Sequence, residues 1–212
     1  MKKRMFVAVF SALALVGATQ NAAAQGEEPG AGRFEVGFSP FSWTWFSKGD
    51  TALQPSFKNY ALGVTGTYNA NTRIGLEAEL GRGIGLKQTL DFNNATFENV
   101  KIPNSWAYNG NVVYNVWGSD HRWVPYVTGG IGGLTVNSRT DFESFGFLNR
   151  ETFFTQNAGA GVKWFATHRW GLRGDYRYIN ITGKTGDTAP QFFGEDQNRH
   201  GNRFYGSFVL TY

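Results

Sequence analysis

From Trp170 to Tyr178 the chain reads WGLRGDYRY, and strict alternation of this kind is what most limits its fold. Trp170, Leu172, Gly174, Tyr176 and Tyr178 fall on one parity; Gly171, Arg173, Asp175 and Arg177 fall on the other. A period of two belongs to a β-strand with two unlike faces. The same pattern recurs in eight segments, expected at 33–46, 60–69, 73–86, 105–117, 123–138, 152–166, 170–178 and 202–212. In the first, Pro40 interrupts the alternation of Phe34, Val36 and Phe38, which resumes on the other parity at Phe41, Trp43 and Trp45, so a bulge is expected there. The connections alternate too. Those around 69–72, 118–122 and 167–169 are short, whereas 47–58, 87–104, 139–151 and 183–201 are long. An up-and-down meander with tight turns at one end and loops at the other is the plan of a transmembrane barrel.

The two faces differ in a way that decides which one is inside. Glu77, Glu79, Asn109, Asn111, Asn115, Asn157, Lys163, Arg173, Asp175, Arg177 and Arg203 lie opposite the aromatics. The rest of that face is mostly Gly, Ala, Asn and Thr, sizes that fit the narrow bore of eight strands. The aromatic face carries almost no charge in mid-strand, where a charge facing lipid would cost ~2–4 kcal/mol. Aromatic rings also gather at strand ends. Tyr68, Tyr114, Trp123, Trp164, Trp170 and Tyr212 stand beside the short turns; Trp43, Trp45, Tyr60, Trp106, Tyr108 and Tyr178 stand beside the long loops. Two such bands are the aromatic girdles of a bilayer-spanning barrel. The competing architecture is a soluble, lipocalin-like barrel, which would have to line its lumen with the aromatic face.

The N-terminus accounts for most of the net charge of +4. Lys2, Lys3 and Arg4 precede an apolar run to Ala18, and Ala22-Ala23-Ala24 offers a small-residue cleavage site, the order of a secretory signal peptide. Residues 1–24 are read as that signal, 25–32 as a flexible polar leader, and 33–212 as the barrel. Without Lys2, Lys3 and Arg4, 17 of the 20 Lys and Arg remain against 16 Asp and Glu. A near-neutral mature chain has no electrostatic basis for nucleic-acid binding. With no Cys there is no disulfide framework and no thiol chemistry.

Several segments resemble small OmpA-like and OmpX-like eight-stranded outer-membrane β-barrels. WVPYVTGGIG from Trp123 resembles their fifth strand, NAGAGVK from Asn157 their sixth, and WGLR with Tyr176-Arg177-Tyr178 their seventh. The ending GSFVLTY from Gly206 is similar to their C-terminal insertion signal, with Ser207 where Gly is usual. The resemblance spans 33–212. It implies an outer-membrane location with both termini periplasmic, contact with outer-membrane lipids, and recognition of the last strand by the barrel-assembly machinery. Because the chain ends at that strand, no periplasmic peptidoglycan-binding domain is expected. The resemblance also implies a lumen cluster of Glu77, Glu79, Lys163, Arg173, Asp175 and Arg177, whose pairing sequence leaves open because register is not visible.

Fold does not fix activity. The leading expectation is a structural, envelope-interacting barrel presenting four loops to an extracellular partner. A narrow or gated pore controlled by the charge cluster stands second, and a lipid-A-modifying enzyme third. Enzyme chemistry finds little support in the residues. His121 and His168 fall in short turns, and His200 is followed by Gly201-Asn202 rather than the His-x-Ser pair of the family's deacylases. Gly183-Lys184-Thr185 lacks the earlier Gly of a phosphate loop, and Thr128–Leu134, glycine-rich like a dinucleotide loop, lies within a strand pattern. Asp91, Glu98, Asp141, Glu143, Glu195 and Asp196 lack the spacing of a calcium loop. No cofactor, metal or catalytic residue is expected. The loops do carry apolar rings at Phe57, Phe92, Phe97, Phe142, Phe145, Phe147, Phe192 and Phe193; the last two, with Phe145 and Phe147, are the candidate contact residues.

Overall fold

The computed structural model of the protein describes residues 31–48, 55–92, 94–138, 150–183 and 198–212, the side chain of Phe92 excepted. Eight strands close into an antiparallel barrel: β1 (Phe34–Phe46), β2 (Phe57–Asn69), β3 (Ile74–Gly85), β6 (Asn104–Asn115), β7 (Trp123–Asn137), β8 (Arg150–Phe165), β9 (Trp170–Ile181) and β10 (Arg199–Thr211). β1 pairs with β10, so the described barrel has no free edge. The remaining pair, β4 (Lys87–Phe92) and β5 (Ala95–Lys101), forms a separate two-stranded sheet. It occupies the segment expected to be a plain loop.

Local chemistry explains the departures from ideal strands. The register of β1 slips between Phe38 and Phe41 against β10, and between Ser39 and Ser42 against β2. Proline has no amide hydrogen for the ladder, so Pro40 takes the bulge. In the β4–β5 hairpin, Asn94 and Asn99 have φ of 61° and 58°. Asn tolerates that left-handed region better than most residues, which suits a tight turn and a register shift. The shift falls between Gln88 and Leu90.

The aromatic parity faces outward. In β9, Trp170, Leu172, Tyr176 and Tyr178 are exposed, whereas Gly171, Arg173, Asp175 and Arg177 are buried. The pattern holds around the barrel: Phe41, Leu76, Val112, Ile131, Phe154 and Phe208 are all exposed to at least 48%. A continuous apolar outer wall of that extent requires a covering solvent other than water. Strands of 12 to 16 residues exceed the ~9–11 that cross a bilayer.

Candidate functional site

The inward parity fills the bore in three layers. At the turn end, Val124, Phe165 and Val209 form a small apolar cluster, with Ala31 packed against it. Ala31 and Gly32, the end of the leader, are tied to the barrel. The Ala31 amide donates to the Ser119 carbonyl at 2.5 Å, and the Asn69 side-chain amide donates to the Gly32 carbonyl at 2.7 Å.

The middle layer is ionic. Four carboxylates (Glu35, Glu77, Glu79, Asp175) and four cations (Lys163, Arg173, Arg177, Arg203) are all buried there. Lys163 Nζ lies 2.8 Å from Glu35 Oε1, which also accepts from Asn69 Nδ2 at 2.8 Å. Arg173 pairs with Glu77, and its Nη2 lies 2.6 Å from Asp175 Oδ2. Arg177 reaches three carboxylates: Glu77 and Glu79 at 2.8 Å each, and Asp175 at 3.2 Å. Arg203 Nη1 lies 2.8 Å from Glu79 Oε1. Two inward tyrosines stitch the charges together. Arg173 Nε donates to the Tyr126 hydroxyl at 2.6 Å, which donates to Asp175 Oδ2 at 2.5 Å. Arg203 Nη1 donates to the Tyr205 hydroxyl at 2.6 Å, which donates to Glu79. Asn111 Nδ2 donates to Glu77 Oε1 at 3.0 Å, and Asn157 Nδ2 to Asn111 Oδ1 at 2.9 Å. Paired in this way, the ions keep most of the hydrogen bonds that burial would otherwise strip from them; among the described residues Asp175 Oδ1 and Arg177 Nε have no partner.

Towards the loop end the same parity turns mainly apolar, with buried Glu151 and Arg199 at its outer edge, where Arg199 Nε donates to the Ser47 carbonyl at 2.8 Å. Phe46, Phe57, Ala107, Leu134, Val136, Phe153, Ile179 and Ile181 form one cluster, completed by Leu90 and Val100 of the hairpin and by Ile102 after it. The Phe46 and Phe57 rings stack with centroids 4.5 Å apart. The hairpin thus folds its apolar side into the mouth of the barrel, while Asp91, Thr96, Glu98 and Lys101 stay exposed. Its base is pinned by the Lys58 amide donating to Gln88 Oε1 at 3.1 Å and by Asn59 Nδ2 donating to the Pro103 carbonyl at 3.2 Å. Gly85 is required where the chain leaves β3, because a Cβ there would collide with the Ile102 carbonyl. Between the ionic and apolar layers a void of about 10 Å³ is lined by Phe46, Asn109, Leu134, Ile179 and Arg203, among others. That is space for about one water.

The six residues of the expected charge cluster lie together in the ionic layer, in the pairings just given. Sequence reasoning placed Arg203 on the inward face but outside the cluster, and it singled out none of three further participants. Glu35, Tyr126 and Tyr205 are each on the inward parity, and parity counting along β1, β7 and β10 was the signal that could have found them. The expectation of a lumen lined throughout by small and polar residues is corrected. The loop-end portion is filled by large apolar side chains, because the hairpin supplies a partner surface for them that strand parity alone does not reveal.

The girdle residues Tyr68, Tyr114, Trp123, Trp164, Trp170, Tyr212, Trp106 and Tyr108 stand on the outward parity or at the rim. Trp164 meets Trp123 and Trp170, each at 6.2 Å between centroids. Phe57 is buried in the apolar layer and Phe97 packs against it, so these two loop rings serve packing. Phe145, Phe147, Phe192 and Phe193 lie outside the described residues, as does Phe142. His200 stacks on Tyr178 at 5.3 Å, and Ser47 Oγ donates to the His200 carbonyl, not to its ring. His121 and His168 are exposed at the turn end.

Residues 10–199 match the family model described as the outer membrane protein beta-barrel domain. No curated protein matches the chain. Among solved structures, Neisserial surface protein A superposes with a TM-score of 0.59 at 16% identity, covering 86% of this chain and 99% of that one. The outer membrane protein OprG from Pseudomonas aeruginosa superposes with a TM-score of 0.50 at 13% identity, covering 88% and 98%. At these identities the likeness is one of fold.

Proposed function

The chain belongs to the outer membrane protein β-barrel domain family, and from that premise we propose that it acts as a closed, structural barrel that displays its loops to a partner outside the cell. It is a bacterial outer-membrane β-barrel protein. Under the proposal both termini are periplasmic, the last strand is read by the barrel-assembly machinery, and the loops on the opposite rim carry whatever specificity the protein has. The observation that carries this reading is the filled bore. An ionic layer drawing on all eight strands is followed by an apolar layer sealed by the β4–β5 hairpin. A steady water path would need both layers to move at once. The reading also assigns no reaction to the barrel.

The pore reading keeps one supporting observation: the three arginines of the middle layer have several partners each, so they could re-pair. The two readings part in planar bilayers. Purified protein should insert without a steady conductance, and Arg173→Ala or Glu79→Ala should leave it closed because the apolar layer remains. Deleting 88–100 together with Glu79→Ala should give conductance that neither change gives alone. A regular, open unitary conductance from the unaltered protein would overturn the closed-barrel proposal. For the loops, replacing Phe145, Phe147, Phe192 and Phe193 with Ser should abolish capture of the barrel by intact cells while leaving its heat-modifiable gel migration unchanged.

A further inference from the structure

At the turn end, an arginine immediately precedes β1, β3, β7 and β9: Arg33, Arg73, Arg122 and Arg169. All four are exposed. Their backbone settings are equivalent. Each arginine carbonyl accepts an amide hydrogen from the end of the neighbouring strand: Asn69 to Arg33 at 2.9 Å, Asn115 to Arg73 at 2.7 Å, Phe165 to Arg122 at 2.9 Å and Thr211 to Arg169 at 2.9 Å. The strand pairs concerned are β1·β2, β3·β6, β7·β8 and β9·β10, which fall at every second seam of the closed barrel. The positions therefore repeat around the rim at two-strand intervals.

Three of the four lean on a girdle ring one residue before that donor. Arg33 donates to the Tyr68 hydroxyl at 2.9 Å, with its guanidinium 5.5 Å from the ring centre. Arg73 donates to the Tyr114 hydroxyl at 3.2 Å. The Arg122 guanidinium lies 5.9 Å from the centre of Trp164. At the fourth seam Leu210 holds the equivalent place. Girdle rings mark the depth of the membrane–water boundary, so the guanidinium groups are held at headgroup level. The three keep donors that their rings do not use, and Arg169 has no ring to satisfy, so each offers the planar fork that suits a phosphate. Among the described side chains, the acid on this rim is Asp120, and it is engaged by His121 at 3.1 Å. Among the described residues the rim is thus cationic, and no carboxylate pairs with these four arginines.

We propose that Arg33, Arg73, Arg122 and Arg169 form a collar that binds the phosphodiester headgroups of anionic phospholipids. The assignment rests on the barrel spanning a membrane and is independent of what the loops contact. With the termini periplasmic, as proposed above, the collar meets the phospholipid leaflet. Arg169, without a ring beneath it, contributes least to the fixed geometry.

The test uses the folded barrel in mixed micelles holding equal amounts of phosphatidylglycerol and phosphatidylcholine, with retained lipid quantified by mass spectrometry after gel filtration. The wild type should be enriched in phosphatidylglycerol, less so as salt rises. Enrichment should weaken roughly five-fold for each of Arg33, Arg73 and Arg122 removed, less for Arg169, and vanish in R33Q/R73Q/R122Q/R169Q. The loop-end variant K58Q/R82Q should keep it. If the four-fold variant gives no heat-modifiable band, R33Q/R73Q and R122Q/R169Q carry the test, and each must lower enrichment. No enrichment in the wild type, full enrichment in the collar variants, equal loss in K58Q/R82Q, or a preference of the collar for added lipid A over phosphatidylglycerol would each overturn the proposal.

Discussion

Arg177 and Ile179 lie two residues apart on β9, both face the bore, and they belong to different layers. Arg177 touches three carboxylates. Ile179 belongs to an apolar cluster closed from above by Leu90, Val100 and Ile102, with the buried Arg199 guanidinium 5.4 Å from the ring of Phe57 at its edge. The strands offer the same geometry at both levels, so the difference lies in what fills the bore. An ionic layer holds only while its charges balance and each keeps its partners. An apolar layer needs no specific partner, but it needs enough surface, and at the mouth the hairpin residues Leu90, Val100 and Ile102 complete it. The hairpin supplies that surface. One layer fixes register through directed bonds; the other excludes water from above it.

The sharpest way to break the contrast is Arg177→Ala. It leaves Glu79 with Arg203 and Glu77 with Arg173, but puts four buried carboxylates against three cations. Loss of one member of a buried set should cost about 3–5 kcal/mol, read as a lower urea midpoint for the folded, heat-modifiable form. Leu134→Ala in the apolar layer should cost about 2–5 kcal/mol, placed lower in the order because the hairpin can settle into part of the space. Its distinguishing sign is faster proteolysis at the hairpin, which Arg177→Ala should not produce. If both variants open the hairpin equally, the layers are not separate.

The contrast is sharpened by converting a pair rather than breaking it. Lys163→Met with Glu35→Gln removes one ion pair while keeping the net charge of the layer at zero. The double variant should lie within about 1–2 kcal/mol of the wild type, whereas Lys163→Met alone should lose more. Equal losses in single and double variants would mean that the pair is not coupled. The smallest effect is expected from Tyr126→Phe, which deletes one hydroxyl between Arg173 and Asp175. With the charges still in contact, the loss should be about 1–2 kcal/mol and the gel mobility unchanged.

Most of the barrel was legible in the residues because parity is a local property. WGLRGDYRY declares two faces without any knowledge of its neighbours, and the absence of mid-strand charge on one face declares which face meets lipid. The turn-side strand ends, the Pro40 bulge and the alternation of short and long connections follow from equally local chemistry, whereas at the loop side β2, β9 and β10 run on to Phe57, Ile181 and Arg199, beyond the expected 60, 178 and 202. The six residues of the charge cluster were legible by parity too. Their pairing was not, because β3 and β9 meet only across the bore, far apart in sequence. Glu35 escaped notice because its strand reads as aromatic on either side of it, and Tyr126 because a tyrosine on a membrane strand suggests the girdle. The hairpin in 87–101 was missed because its alternation is short and mixed, and its apolar residues acquire a partner only once the mouth of the barrel exists.

The sequence by itself determined a membrane-spanning barrel, its inside and its outside, since a charge costs the same on the lipid face whatever the rest of the chain does. It also placed an arginine before each of four strands. Only the closed tertiary structure decided which carboxylate holds which cation, that the bore is sealed by an apolar layer under a hairpin, and that the four arginines stand at equal intervals on one rim. These depend on register and closure, and register is fixed by contacts between strands rather than by residues within one.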